Sequence, residues 1–86
     1  NTAVGSAALY RNIASNNTAI GRYTLFNVQN GANNTAVGSL ALYSGTNSTA
    51  SSNVAAGYRA GANVTGNGNV FLGNQAADGP TALDRQ

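Results

Sequence analysis

The chain has 86 residues, only six of them charged, with a net charge of +2 and no Cys, His, Lys or Glu. That inventory excludes disulfides and thiolate metal sites, and it leaves no titratable group tuned near neutrality for acid–base catalysis. The four cations, Arg11, Arg22, Arg59 and Arg85, are scattered along the chain, whereas phosphate neutralisation needs them clustered.

Large apolar residues are few: Val, Ile, Leu, Phe and Tyr together make 20 of the 86, while Ala, Asn, Gly and Thr make 49. Disordered chains are usually rich in charge and Pro, and this one has a single Pro. Low charge with regularly placed apolar residues points instead to an ordered repeat held largely by backbone pairing. No apolar run approaches the length that spans a bilayer.

In chain order the same phrase recurs: NTAVGSAALY over 1–10, NNTAIGRYTLF over 16–26, NNTAVGSLALY over 33–43, then SNVAAGYRAGA from Ser52 and GNVFLGNQAAD from Gly68. The turn glycines are Gly5, Gly21, Gly38, Gly57 and Gly73, spaced by 16, 17, 19 and 16 residues. A motif kept while its period varies by insertion is a solenoid signature. It predicts five coils, near 1–15, 16–32, 33–51, 52–66 and 67–78, with 79–86 a C-terminal tail or a link to a further domain.

Each coil is expected to begin with a strand. Four residues before the glycine stand Asn1, Asn17, Asn34, Asn53 and Asn69. Thr2, Thr18, Thr35, Val54 and Val70 lie three before, and Val4, Ile20, Val37, Ala56 and Leu72 one before, so these two rows share a face. Between them Ala3, Ala19, Ala36, Ala55 and Phe71 point the opposite way. Both faces carry apolar or small groups, as in a strand covered on two sides; one fills the coil and the other needs a second partner.

After each glycine a second short strand is predicted, through Ala8, Thr24, Ala41, Ala60 and Ala76, followed by a loop rich in Asn, Gly and Ser. Helix is the competing assignment for SAALY and SLALY, but five residues beside a glycine are too few for a stable one. Glycine serves the turn because it reaches positive φ without steric cost.

The segments NTAVG, NNTAIG, NNTAVG, SNVAAG and GNVFLG resemble the head repeats of the YadA-like trimeric autotransporter adhesins and related bacterial and phage surface-fibre repeats. The likeness covers residues 1–78, with longer repeats than that family and an added aromatic in the first three coils. It implies an all-β, left-handed parallel β-roll assembled as a homotrimer, extracellular, on a cell surface or virion fibre. The function implied is non-enzymatic: a rigid spacer, or an attachment head for a glycan or protein receptor on a host, prey or other surface. No nucleic acid, cofactor, metal or membrane contact by this segment is expected. On this reading Val4, Ile20, Val37, Val54, Val70 and Leu72 form the roll core, and Ala3, Ala19, Ala36, Ala55 and Phe71 meet the other chains. The alternatives are a monomeric solenoid binding ice or polysaccharide, and a phage tail-fibre segment.

Three features are singled out for chemistry. Tyr10, Phe26 and Tyr43 fall at one place in successive coils, which suits an aromatic stack or a sugar-binding strip. The Asn row suits a hydrogen-bonded ladder. The longest insertion, 44–52, is the natural place for a receptor loop, with Ser44, Gly45, Thr46, Asn47, Ser48 and Thr49 as its candidates. The only carboxylates, Asp78 and Asp84, suit solvated positions near the chain end.

Overall fold

The computed structural model describes residues 1–44, 49–64 and 66–77, and within them the chain is an all-β parallel solenoid without a helix. Its strands are β1 Thr2–Val4, β2 Thr18–Ile20, β3 Thr35–Val37, β4 Val54–Ala56 and β5 Val70–Leu72, and they pair in sequence order to form one five-stranded sheet. Five strands bound about four complete turns. The register matches the repeat: Ala3 pairs with Ala19, Ala19 with Ala36, Ala36 with Ala55 and Ala55 with Phe71.

The two strand faces are exchanged relative to the sequence expectation. Ala19, Ala36, Ala55 and Phe71 are buried inside the coil, whereas Val4, Ile20, Val37, Val54, Val70 and Leu72 are between 41% and 67% exposed. Ala3 belongs to the inward row and is exposed, because it stands at the end of the stack. The reason is volume. Leu25, Leu42, Val28, Val64 and the buried asparagines already occupy the interior, and close-packed interiors do not absorb extra methylenes without strain. Opposite them the strand has room for a methyl group only.

The fifth coil carries Phe71 in the alanine row, and the fourth coil makes space for it. Where other coils place Leu9, Leu25 and Leu42, the fourth has Gly61. A Cβ built on Gly61 would lie 2.6 Å from the Phe71 ring and 2.9 Å from a Leu42 methyl. The ring thus fills the volume that a leucine would have taken.

The segment after each glycine is a wound turn and not a second strand. Residues two and four beyond the glycine have left-handed backbone, among them Leu9, Tyr23, Leu25, Leu40 and Leu42 with φ of 52–63°. That conformation costs about 1–2 kcal/mol per non-glycine residue. Hydrogen bonds offset the cost by running in both directions along the stack. The amides two beyond the glycine donate to the preceding coil, as Tyr23 to Ser6 at 2.9 Å and Leu40 to Arg22 at 2.8 Å. Those four beyond donate to the following coil, as Leu9 to Thr24 at 2.9 Å and Leu25 to Ala41 at 3.0 Å. An extended strand of this length would have to bury its leucines on one face only. The alternating backbone instead turns both Thr24 and Leu25 into the core, each 0% exposed.

Candidate functional site

Three surfaces or rows result from this winding. The first is internal. Asn17, Asn34, Asn53 and Asn69 are buried, and each accepts or donates along the stack. The amide N–H of Asn17 donates to Asn1 Oδ1 at 2.8 Å, that of Asn34 to Asn17 Oδ1 at 2.9 Å, that of Asn53 to Asn34 Oδ1 at 3.0 Å and that of Asn69 to Asn53 Oδ1 at 2.8 Å. Their side-chain amides reach backbone carbonyls on the opposite wall: Asn17 to Gly31 at 3.0 Å, Asn34 to Ala50 at 2.8 Å and Asn53 to Gly66 at 3.0 Å. Among the described residues no buried side-chain polar atom lacks a partner. The ladder is structural, as the sequence suggested.

The ladder has an anchor that the repeat pattern did not mark. Asn12 Nδ2 donates to Val28 O at 2.6 Å and Gly31 O at 3.0 Å, while its Oδ1 accepts from the Ala14 amide at 3.0 Å and Asn17 Nδ2 at 3.2 Å. It stands seven residues beyond Gly5, where the second and fourth coils carry Val28 and Val64, so periodicity carried no signal for it.

The second surface is the outer sheet face. Its rows are Thr2, Thr18, Thr35, Val54 and Val70 beside Val4, Ile20, Val37, Ala56 and Leu72, paired in register. The side chains are aliphatic or threonine, without a charge, on a five-stranded sheet. Sheet neighbours lie about 4.8 Å apart, so the face is a contiguous apolar strip rather than scattered single residues.

The third is the aromatic side. The Tyr10 and Phe26 rings stack with centroids 5.2 Å apart and planes 5° apart, and Phe26 and Tyr43 stack at 5.4 Å and 20°. Tyr23 meets the edge of Phe26 at 5.3 Å, and the Arg22 guanidinium carbon lies 4.4 Å from the Tyr23 ring centre. The ring-on-ring stack expected from the repeat is therefore present. Replacing Phe26 by Leu keeps an apolar group but removes both stacks and the Tyr23 edge contact; thermal or urea denaturation is expected to show a loss of about 1.5–4.5 kcal/mol, three pairs at about 0.5–1.5 kcal/mol each. Beside the column lies a depression of ≈ 410 Å³ lined by Arg22, Tyr23, Phe26, Leu40, Tyr43 and Arg59.

Of the receptor-loop candidates, Ser44 is buried and Thr49 exposed; Gly45, Thr46, Asn47 and Ser48 lie outside the described residues, as do Asp78 and Asp84. The described residues contain no group of three or more metal-ligating side chains, and no helix in them is long and apolar enough to cross a membrane. No protein-family model, curated protein or solved structure matches this chain.

Proposed function

We propose that the chain is a non-enzymatic segment of a trimeric, extracellular surface fibre, a left-handed roll that acts as a rigid spacer or attachment head on a cell or virion. The observation that carries this reading is the uncharged outer sheet face, on which six large aliphatic side chains remain 41–67% exposed. A contiguous apolar strip of this kind marks an interaction surface, and a parallel stack of identical coils presents it along the whole length of the segment. Three chains related by a closed rotation cover all three strips at once. The resemblance to trimeric fibre repeats supports the same arrangement. The interface residues on this reading are Val4, Ile20, Val37, Val54, Val70 and Leu72, with Ala19, Ala36, Ala55 and Phe71 excluded by their burial. Attachment then works by avidity, each weak contact multiplied threefold and along the repeats.

The test is solution mass by light scattering, with dilution to low micromolar concentration. The native chain is expected at the mass of three chains. Ile20→Glu with Val37→Glu is expected to give a folded single chain with an unchanged far-UV spectrum. Ala36→Glu is expected to unfold the coil, since Ala36 is 0% exposed and an unpaired buried carboxylate is costly. A native chain that stays folded and monomeric at every concentration overturns the trimer.

A second reading is favoured by one observation: Thr2, Thr18 and Thr35 stand in a single rank on that outer face. Regularly spaced threonines on a flat sheet suit ice or a crystalline polysaccharide. The rank stops at Val54 and Val70, and aliphatic groups outnumber hydroxyls, which is why protein packing is preferred. Thermal hysteresis of a folded monomer, or its retention on crystalline polysaccharide, supports this second reading; the absence of both removes it.

A further inference from the structure

We infer that Asn30–Gly31 is a spontaneous modification site, at which Asn30 converts to aspartate and isoaspartate while the chain is folded. The pair lies in the loop that follows the wound turn of the second coil and takes no part in the outer sheet face. The inference therefore does not rest on the trimeric reading.

Asn followed by Gly occurs twice in the chain, at Asn30–Gly31 and Asn67–Gly68. Both asparagines are exposed, yet their surroundings differ. Asn67 Oδ1 accepts the Ser51 amide at 2.8 Å, and the Gly68 amide donates to Ser51 O at 3.1 Å. Ser51 thus holds both groups that would have to meet. Among the described residues no hydrogen bond holds the Asn30 side chain or the Gly31 N–H, so none has to break before the side chain folds back onto that nitrogen. Position 31 cannot carry a shielding side chain either, because a Cβ there would meet Ala50 O and the Val28 side chain. Packing imposes the glycine, and the glycine leaves the Asn30 amide open to its own backbone.

Asparagine is a chemically labile residue, and its conversion here needs only water. The Gly31 nitrogen bonds to Asn30 Cγ, the bond from Cγ to the side-chain nitrogen breaks, and the N–H proton leaves with that nitrogen as ammonia. Water then opens the cyclic imide at either carbonyl. Attack at Cγ gives aspartate; attack at the main-chain carbonyl gives isoaspartate. The net change is one water taken up and one ammonia released. The two products differ in consequence. Aspartate leaves the main chain intact, whereas isoaspartate lengthens it by one methylene between clamped carbonyls. Before Asn30, Gln29 O accepts the Ile13 amide at 2.9 Å and Val28 O accepts Asn12 Nδ2 at 2.6 Å. After it, Gly31 O accepts Asn12 Nδ2 and Asn17 Nδ2, each at 3.0 Å. The longer loop has to release some of these bonds, so isoaspartate loosens the ladder at its anchor.

The test is incubation of the native chain, at its native mass, in mildly alkaline buffer, beside the same chain unfolded in guanidinium chloride. Fragmentation mass spectrometry locates each new acid, and isoaspartyl methyltransferase labelling counts the isoaspartate. In the folded chain Asn30 is expected to convert at least about tenfold faster than Asn67, whose hydrogen bonds to Ser51 must open first. In the unfolded chain the two sites are expected to convert at similar rates, because each is then an exposed Asn-Gly pair. Asn30→Asp is expected to keep the native urea midpoint, and the separated isoaspartyl form to unfold at lower urea. Equal rates at the two sites in the folded chain overturn the assignment, as does an Asn30 that stays intact while the unfolded chain converts. An isoaspartyl form as stable as Asn30→Asp overturns the link to the Asn12 anchor.

Discussion

Asn34→Ala is expected to destabilise the chain by about 3–5 kcal/mol, a large part of the roughly 5–15 kcal/mol that holds an ordinary domain together. The Asn34 side chain is 0% exposed and serves three neighbours. Its Oδ1 accepts the Asn53 amide at 3.0 Å, and its Nδ2 donates to Asn17 Oδ1 at 3.1 Å and Ala50 O at 2.8 Å. Alanine leaves the Asn53 amide buried without its acceptor and opens a gap between strand and opposite wall, and an unsatisfied buried donor carries its full desolvation penalty. Asn1, at the exposed end of the same ladder, provides the comparison. Its side chain donates to Ala14 O at 2.7 Å and accepts from the Asn17 amide at 2.8 Å, but water can replace it there. Asn1→Ala is expected to cost about 1 kcal/mol or less. Urea denaturation followed by far-UV circular dichroism measures both. Equal midpoints for the two variants would show that the interior rungs are no stronger than the solvated one.

Gly38→Ala is expected to cost about 4 kcal/mol or more. Two effects combine. The Gly38 φ is +125°, a region that residues with a side chain rarely enter, and an added Cβ would lie 2.7 Å from Gly57 O and 2.8 Å from Gly57 C. Those atoms are backbone of the next coil and cannot turn aside without lengthening the bond from the Gly57 amide to Val37 O, 2.9 Å long. Gly73 separates the two effects, since its φ is +112° but none of the described residues lies within 4 Å of its Cβ position. Gly73→Ala therefore carries only backbone strain, expected at about 1–3 kcal/mol. The difference between the two variants, read from the same urea curves, is the price of packing one coil on the next. If both variants lost the same stability, backbone conformation alone would account for the glycine row.

The repeat register was fully legible. Glycine spacing placed every strand, and the pairing of Thr2 with Thr18, Thr18 with Thr35 and Thr35 with Val54 follows from aligning Gly5, Gly21, Gly38 and Gly57. The Asn ladder and the ring column were legible for the same reason: in a parallel stack, equivalent positions become neighbours. The facing of the strand was misread because apolar bulk was taken as the sign of an interior position. Parity held the better signal. Asn34 and Ala36 are two residues apart and so share a face, and a ladder of asparagines that reach the opposite wall must point inward. The alanines go in with it, and Val37 is left outside.

The second strand was misread for a different reason. Residues such as Leu25 and Leu42 have side chains that disfavour the left-handed region, and nothing local in TLF or ALY announces that they will occupy it, at φ of 54° and 52°. The conformation is imposed by neighbours in space. Coil repetition, strand order and the ladder were thus written in the sequence, because each depends on spacing along the chain alone. The direction of each strand face, the wound turn and the groove between Arg22 and Arg59 were decided by the tertiary structure. They depend on how much volume the opposite wall leaves, and on which amides the adjacent coils offer, quantities that exist only once the coils are stacked.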